Sequence, residues 1–467
     1  MAKSYDNGDN PMKVLLISAN VTLSPYPLYP LGVSIIAAVL TKAGHEVRQA
    51  DFLQQNTSLE AIGREVREFK PDLVGISVRN IDNVNLLHEQ YYIQNVKNLV
   101  TTVREFSKAK VLLGGAGFSL IPDLILKETG ADYGIVGEGE VLAVEFANNA
   151  AQGIYPKDPL VGSTARLPGD QINAALYDER LLEFYLHSGN IASIQTKRGC
   201  TYKCVYCTYP VLEGAELRRR DPKAVVDDMV LLRDQYKTKY VFFVDSVFND
   251  DEGAYLEVIG EMERRDFSMP WTAFIKPGGL TDAIVERMKK TGFAAAEVGT
   301  DAACDTTLKK LGKSFTFSDV IASNDLLVRH GIATSHFFMF GGPGETEETV
   351  QEGIRNILGL QKCVAFIFMG IRVLPNTPLA RLAIREKLIA PDDGLLKPVY
   401  YISPTVDKQW LEETLTKAFA DVRHCVFPPD AMDNSLQVLH KLGYTGPMWD
   451  LLLPNRKLRE RARNAAK

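Results

Sequence analysis

Short runs of β-branched and aliphatic residues alternate with helix-forming stretches along this chain, and no hairpin signal falls between them. That rhythm restricts the fold more than any other feature. Runs such as Val14-Leu15-Leu16-Ile17 and Val111-Leu112-Leu113 are apolar on both sides of the pleat, as in parallel strands covered by helices on both faces. The first series places strands at 13–18, 45–51, 73–77, 110–115 and 133–136. With helices between them, they imply an open, doubly wound parallel sheet over residues 12–150. Such sheets bind ligands beyond the carboxyl ends of their strands. Residues 1–12 read as a disordered leader, and 151–188, with scattered Pro and Gly, as a linker. A second series has strands at 191–196, 240–244, 271–275, 294–298, 334–340 and 365–371. These βα units imply a partial (β/α)6 barrel over 189–375, with its site at the carboxyl ends of the strands. Residues 376–467 read as mostly helical, with a basic stretch at 456–467. The fold class is therefore α/β: a doubly wound sheet, a partial barrel and a helical C-terminal region.

The first strand of the second series runs directly into Arg198-Gly199-Cys200-Thr201-Tyr202-Lys203-Cys204-Val205-Tyr206-Cys207. The pattern C-x3-C-x2-C lets one loop deliver three thiolates to one point, as zinc sites and iron–sulfur clusters require. Structural zinc takes four protein ligands, and Cys304, Cys363 and Cys425 are isolated. Three ligands without a fourth would leave one iron of a [4Fe–4S] cluster open to a small molecule. A non-enzymatic zinc scaffold is the competing reading.

Half of the six cysteines lie in this one motif, which argues against a disulfide framework and for a reducing, cytoplasmic setting. The polar N-terminus offers no signal-peptide core, and no apolar run is long enough to span a bilayer. A net charge of −5 gives no electrostatic footprint for nucleic acid.

Polar and glycine clusters mark the strand ends. In the first series these are Arg79 and Asn80, then Gly114, Gly115 and Gly117, then Gly137 and Glu138. Glycine lets a backbone approach a bulky ligand, or simply turns. None of these clusters is a G-x-G-x-x-G fingerprint. In the second series the ends carry Asp245, Glu297, Asp301, Gly341-Gly342-Pro343-Gly344-Glu345 and Arg372. His336 lies within a strand, either as a possible acid/base or as a satisfied core histidine.

With these residues in view, the chain resembles the cobalamin-binding radical S-adenosylmethionine enzymes. The resemblance rests on the cysteine motif after the first barrel strand. It also rests on the preceding Rossmann-like sheet with Leu113-Gly114-Gly115 and Gly137-Glu138-Gly139-Glu140. It implies that Cys200, Cys204 and Cys207 hold a [4Fe–4S] cluster whose open iron chelates S-adenosylmethionine. An electron from that cluster would then generate a 5′-deoxyadenosyl radical. It implies S-adenosylmethionine contacts at Tyr206, Asp245, Glu297, Asp301, Gly341, Gly342, Glu345 and Arg372. Cobalamin contacts are implied at Arg79, Asn80, Gly114, Gly115, Gly117, Gly137 and Glu138. No Asp-x-His-x-x-Gly occurs, so that motif's histidine is not available as a lower cobalt ligand. The resemblance implies a methyltransferase acting on an unactivated carbon of a small molecule, lipid precursor or peptide, served by a reductant such as flavodoxin or ferredoxin. Ring formation, ring contraction or oxidation is the alternative outcome.

Overall fold

Burial on both faces explains why the first strands lie inside a sheet. In β1 (Lys13–Ser18), Leu15 and Ile17 join one apolar cluster while Val14 and Leu16 join another on the opposite face. The computed structural model describes residues 11–453 apart from 24–25, 164 and 442–443. The leader up to residue 10 and the basic stretch 456–467 lie outside the described residues.

Strands β2 (Glu46–Asp51), β3 (Leu73–Ser77), β4 (Lys110–Gly114), β5 (Tyr133–Val136) and β6 (Leu160–Gly162) complete the first sheet. The order is β2-β1-β3-β4-β5-β6, with every pairing parallel. The chain reverses direction of travel between β1 and β3, so a crevice opens there beyond the strand ends. The stretch expected as a linker does more than connect. It supplies β6 at the sheet edge and a helix, Glu179–His187, capped by the Asp178 carboxylate. Its pattern was unreadable because β6 has only three residues.

The second sheet has β7 (Ile191–Ile194), β8 (Tyr240–Phe243), β9 (Trp271–Ile275), β10 (Phe293–Asp301), β11 (Ala333–Phe340), β12 (Val364–Met369) and β13 (Cys425–Val426). They run parallel in the order β13-β12-β11-β10-β9-β8-β7. The two-residue β13 adds an edge beyond the six expected strands. Side chains alternate between the faces. Val241, Phe243, Ala273 and Val298 pack outward against helices, whereas Phe242, Phe274 and Phe366 point into the lumen. The C-terminal region is mostly helical, with helices Pro378–Arg385, Lys408–Phe419 and Asp433–Lys441. Trp449, on a short 3-10 turn, inserts into the lumen beside Ala295, Ala333 and Val364. No helix of the described residues is long and apolar enough to cross a membrane.

Candidate active site

The cysteine loop leaves the barrel at Lys197-Arg198 and is pinned along its length. Gly199 has φ +94°, and a Cβ there would collide with the Glu216 carbonyl, so glycine is required. Its carbonyl accepts from Ser246 Oγ at 3.0 Å. Cys200 N donates to Gly214 O at 3.0 Å, Val205 N to Leu311 O at 3.0 Å, and Leu379 N to Val205 O at 2.9 Å. Beneath the loop, Lys197 is buried between Asp250 (3.0 Å) and Asp245 (3.7 Å) and donates to Phe248 O at 2.7 Å. Cys200 is buried, while Cys204 and Cys207 are half-buried. Burial pushes the Cys207 thiol up to about 12 and raises Cys204, with Cys200 adding to both shifts and Cys204 to that of Cys207. Among the described residues no three His, Cys, Asp or Glu side chains converge tightly enough to hold a metal ion. Three cysteine thiols on one pinned loop are the kind of donor set that iron–sulfur clusters take.

Behind the loop, Tyr206 Oη donates to the Asp301 carboxylate, which also ion-pairs with Lys313. Lys313 Nζ lies 3.4 Å from Tyr206 Oη, and its charge bears on Cys204. Lys313 was missed in the sequence. Its one signal was a lysine directly after the helix-ending Leu311-Gly312, in a turn where Gly312 has φ +78°.

Beyond the carboxyl ends of β1, β3, β4 and β5 lies a cleft of about 550 Å³. Arg79, Asn80, Gly114, Gly115, Gly117, Gly137 and Glu138 all line it. Gly115 has φ +99°, and a Cβ would sit 2.7 Å from Val78 O. A Cβ on Gly137 would meet nothing within 4 Å, and one on Gly114 only Ile135 O at 4.0 Å. These two glycines therefore bare their backbone to the cleft. Arg79 lines the same space, with no carboxylate partner among the described residues. Desolvation lowers its pKa, and Tyr209, Tyr185 and Tyr26 oppose that shift. The opposite wall comes from the barrel: Gln195, Arg198, Thr208, Tyr209, Leu212 and Glu213. The cleft therefore abuts the cysteine loop, with Thr208 next in sequence to Cys207.

Charged residues tie that wall together. Burial raises the Glu138 carboxyl, but Arg218, the Leu167 N–H and Arg198 together hold it below its usual value. Arg198 Nη2 sits 2.5 Å from Glu140 Oε1, and its Nε donates to Gln195 Oε1 at 3.0 Å. Gln195 donates to Glu213 at 3.1 Å, and Glu213 accepts the Gly199 N–H at 3.1 Å.

The remaining sequence candidates are not gathered into one ligand face. Asp245 is fully buried and accepts from Thr196 N (2.7 Å), Thr196 Oγ1 (2.5 Å) and Lys197 N (3.3 Å), so it braces the loop instead of meeting a ligand. Glu345 turns back onto its own loop and accepts from the Gly341 and Gly342 N–H groups. Burial lifts its carboxyl to about 7 against those bonds. Arg372 is buried and donates through Nε to Asp82 Oδ2 at 2.7 Å, joining the barrel to the first sheet. His336 is fully buried, with Nδ1 2.7 Å from Thr300 Oγ1 and Nε2 3.2 Å from Asn324 Oδ1. Desolvation lowers it to about 3, so it is a satisfied core histidine and not an acid/base. Glu297 faces the lumen, where its Oε1 accepts from Tyr26 Oη at 2.5 Å.

The family model described as B12 binding domain matches residues 17–147, and that of the Radical SAM superfamily matches residues 194–357. The chain belongs to the cobalamin-binding radical S-adenosylmethionine enzymes. The tryptophan 2-C-methyltransferase of Streptomyces laurentii is 26% identical, with 76% of this chain and 72% of that protein covered. The cytidylyl-2-hydroxyethylphosphonate methyltransferase of Streptomyces wedmorensis is 24% identical, covering 83% and 84%. Among solved structures, the radical S-adenosylmethionine methyltransferase TsrM from Kitasatospora setae, with cobalamin and a [4Fe-4S] cluster bound, superposes with a TM-score of 0.81. That match has 24% identity and covers 97% of this chain and 100% of that one. It establishes the shared fold. The residues in hand fit the family's groups: bared glycines and an arginine without a carboxylate partner around the cleft, and three cysteine thiols on a pinned loop.

Proposed function

We propose that this enzyme is a cobalamin-dependent methyltransferase that transfers a methyl group to an unactivated carbon of a small molecule. One observation carries the reading: the glycine-lined cleft of the first sheet opens directly onto the residues that follow Cys207. When bound, the cluster supplies an electron to S-adenosylmethionine and cobalamin carries the methyl group beside it. In this reading residues 12–150 form the cobalamin unit and 189–375 the barrel. Residues 151–188 join them, and within 376–467 Trp449 closes the lower end of the lumen.

The chain's own residues hold and exclude. Cys200, Cys204 and Cys207 bind the cluster. Lys313, paired with Asp301, places a positive charge beside the loop and fixes Tyr206 by the bond to Asp301. Gly341 and Gly342 would contribute to the adenosine side of the site, and Glu345 rigidifies that turn. Gly114 and Gly137 allow the cofactor ring to approach the backbone. Arg79, which lines the same cleft, would offer its guanidinium to the cofactor. The apolar lining from Leu16, Ile36 and Leu112 keeps water from the buried end of the cleft.

The test is anaerobic reconstitution with iron, sulfide and cobalamin, followed by product analysis with candidate substrates. Formation of S-adenosylhomocysteine together with a product heavier by one CH2 is expected. A product of ring closure or oxidation, without S-adenosylhomocysteine, would overturn the methylation reading.

A further inference from the structure

Two short strands close the base of the cysteine loop, and their charges do not suit each other. Lys197-Arg198 pairs antiparallel with Arg218-Arg219, so Lys197 stands opposite Arg219 and Arg198 opposite Arg218. Like charges directly opposite on one face repel. The ladder therefore needs anions on both of its faces, and the fold supplies them from two different places.

Successive side chains of a strand point to opposite faces. Lys197 and Arg219 meet acids of the barrel. Lys197 lies between Asp245 and Asp250, and Arg219 pairs with Glu252 and Glu257, each at 2.8 Å. Arg198 and Arg218 meet acids that follow β5 of the first sheet. Arg218 clasps Glu138 through both terminal nitrogens, with Nη1 3.0 Å from Oε2. Arg198 Nη1 lies 3.7 Å from the same Oε2, and its Nη2 lies 2.5 Å from Glu140 Oε1. These four side chains are at most 13% exposed. Salt screens pairs at such depth far less than surface pairs, and the bidentate clasp is the stronger kind.

Glu138 is thus spent on the loop. Its Oε2 also accepts the Leu167 N–H at 3.0 Å. Its chain neighbours Gly137 and Gly139 both line the cofactor cleft. On the other side, Arg198 stands two residues before Cys200. Gly199, between them, donates its N–H to Glu213 Oε2 at 3.1 Å, and the Glu213 carbonyl accepts from Arg218 Nη2 at 2.8 Å. One carboxylate therefore joins the turn that bares its backbone to the cofactor cleft and the loop that carries the cysteines.

We propose that Glu138 is a positioning residue: by neutralising Arg198 and Arg218 it holds the cysteine loop in register with the cobalamin cleft, so that occupancy of each site tightens the other. The inference takes from the reading above only that both groups are bound, and not which reaction they serve.

The experiment is titration of the full-length chain with hydroxocobalamin, followed by quenching of its intrinsic fluorescence. The chain is compared with its cluster reconstituted and after the iron has been removed by a chelator. The cluster-loaded protein is expected to bind at least about fivefold more tightly, the lower end of the usual coupling between linked sites. Glu138→Gln should bring that ratio below about twofold while the cluster's visible absorption persists, and Arg218→Gln, which breaks the clasp from the other side, should do the same. Arg219→Met, which breaks two ion pairs of the same ladder on its barrel face, should keep the wild-type ratio. A residue that only stabilised the fold would weaken both forms alike and leave the ratio unmoved. Equal affinity of the two wild-type forms overturns the proposal without any variant. A Glu138→Gln or Arg218→Gln protein that keeps the ratio also overturns it, and would assign the coupling to direct contact through Thr208 and Tyr209. So does an Arg219→Met protein that loses the ratio. Methylation is judged separately: absence of S-adenosylhomocysteine would refute that reading and leave the coupling intact.

Discussion

Removing the Asp82 carboxylate should be among the most costly single changes at the seam between the two sheets. Arg372 is 3% exposed at its side chain and Asp82 1%. The guanidinium also donates to Val373 O at 2.6 Å and Leu395 O at 2.8 Å, so it cannot swing out to water when its partner disappears. Breaking a buried pair from one side typically costs about 3–5 kcal/mol, because the remaining charge is stranded. Asp82→Ala should fall in that range. Arg372→Met should cost a similar amount, since Asp82 would then keep only the Val84 N–H at 3.0 Å. The double variant should cost much less than the sum, giving a coupling of roughly 2–3 kcal/mol. Urea unfolding of the four proteins measures the cycle. Hydrogen exchange at 78–85 and 371–373 shows whether the seam opens ahead of either sheet. An additive cycle, or a cost for Asp82→Ala below about 1 kcal/mol, would refute the stranded-charge reasoning.

Other outcomes follow from the same geometry. Replacing any one of Cys200, Cys204 or Cys207 by Ala should abolish the cluster's visible absorption after reconstitution while the fold, read by circular dichroism, persists. Gly115→Ala forces a side chain into a left-handed conformation against Val78 O, at roughly 1–3 kcal/mol, and should release cobalamin on gel filtration. His336, depressed from 6.5 to about 3, is neutral in the folded chain while the unfolded chain takes up its proton. Stability should therefore fall by up to about 1.4 kcal/mol per pH unit as pH drops from 6.5 towards 3. His336→Gln should flatten that limb in urea titrations without moving the pH profile of turnover. Glu297, raised from 4.5 to about 7, has the opposite sign. Its contribution is intact below pH 4.5 and lost as pH rises to 7, so Glu297→Gln should gain stability relative to wild type at pH 8.

Strands and strand-end glycines were legible because their causes are local. A run such as Val111-Leu112-Leu113 declares a strand buried on both faces. Strand-end placement was enough to gather Arg79, Gly114 and Glu138 into one cleft before any contact was known. The cysteine loop was legible because its three ligands lie in eight residues. The partners of buried polar side chains were not legible. Arg372 meets Asp82 across 290 positions, and Glu297 meets Tyr26 across 271. Nothing in the neighbourhood of Asp245 distinguishes a carboxylate that faces a ligand from one that accepts from Thr196 and Lys197. That distinction is made by which loops pack together, and packing is a property of the whole chain.

The contacts that close the seam also bear on how long a bound group stays. Arg372 with Asp82, Glu297 with Tyr26, Tyr185 with Asp51, and Gln49 with the Leu176 carbonyl all cross from one sheet to segments packed on the other. All are wholly or partly buried. A bulky group lodged between the sheets is therefore retained by the chain's own closure as much as by its direct contacts. It would leave more slowly than its direct contacts alone predict.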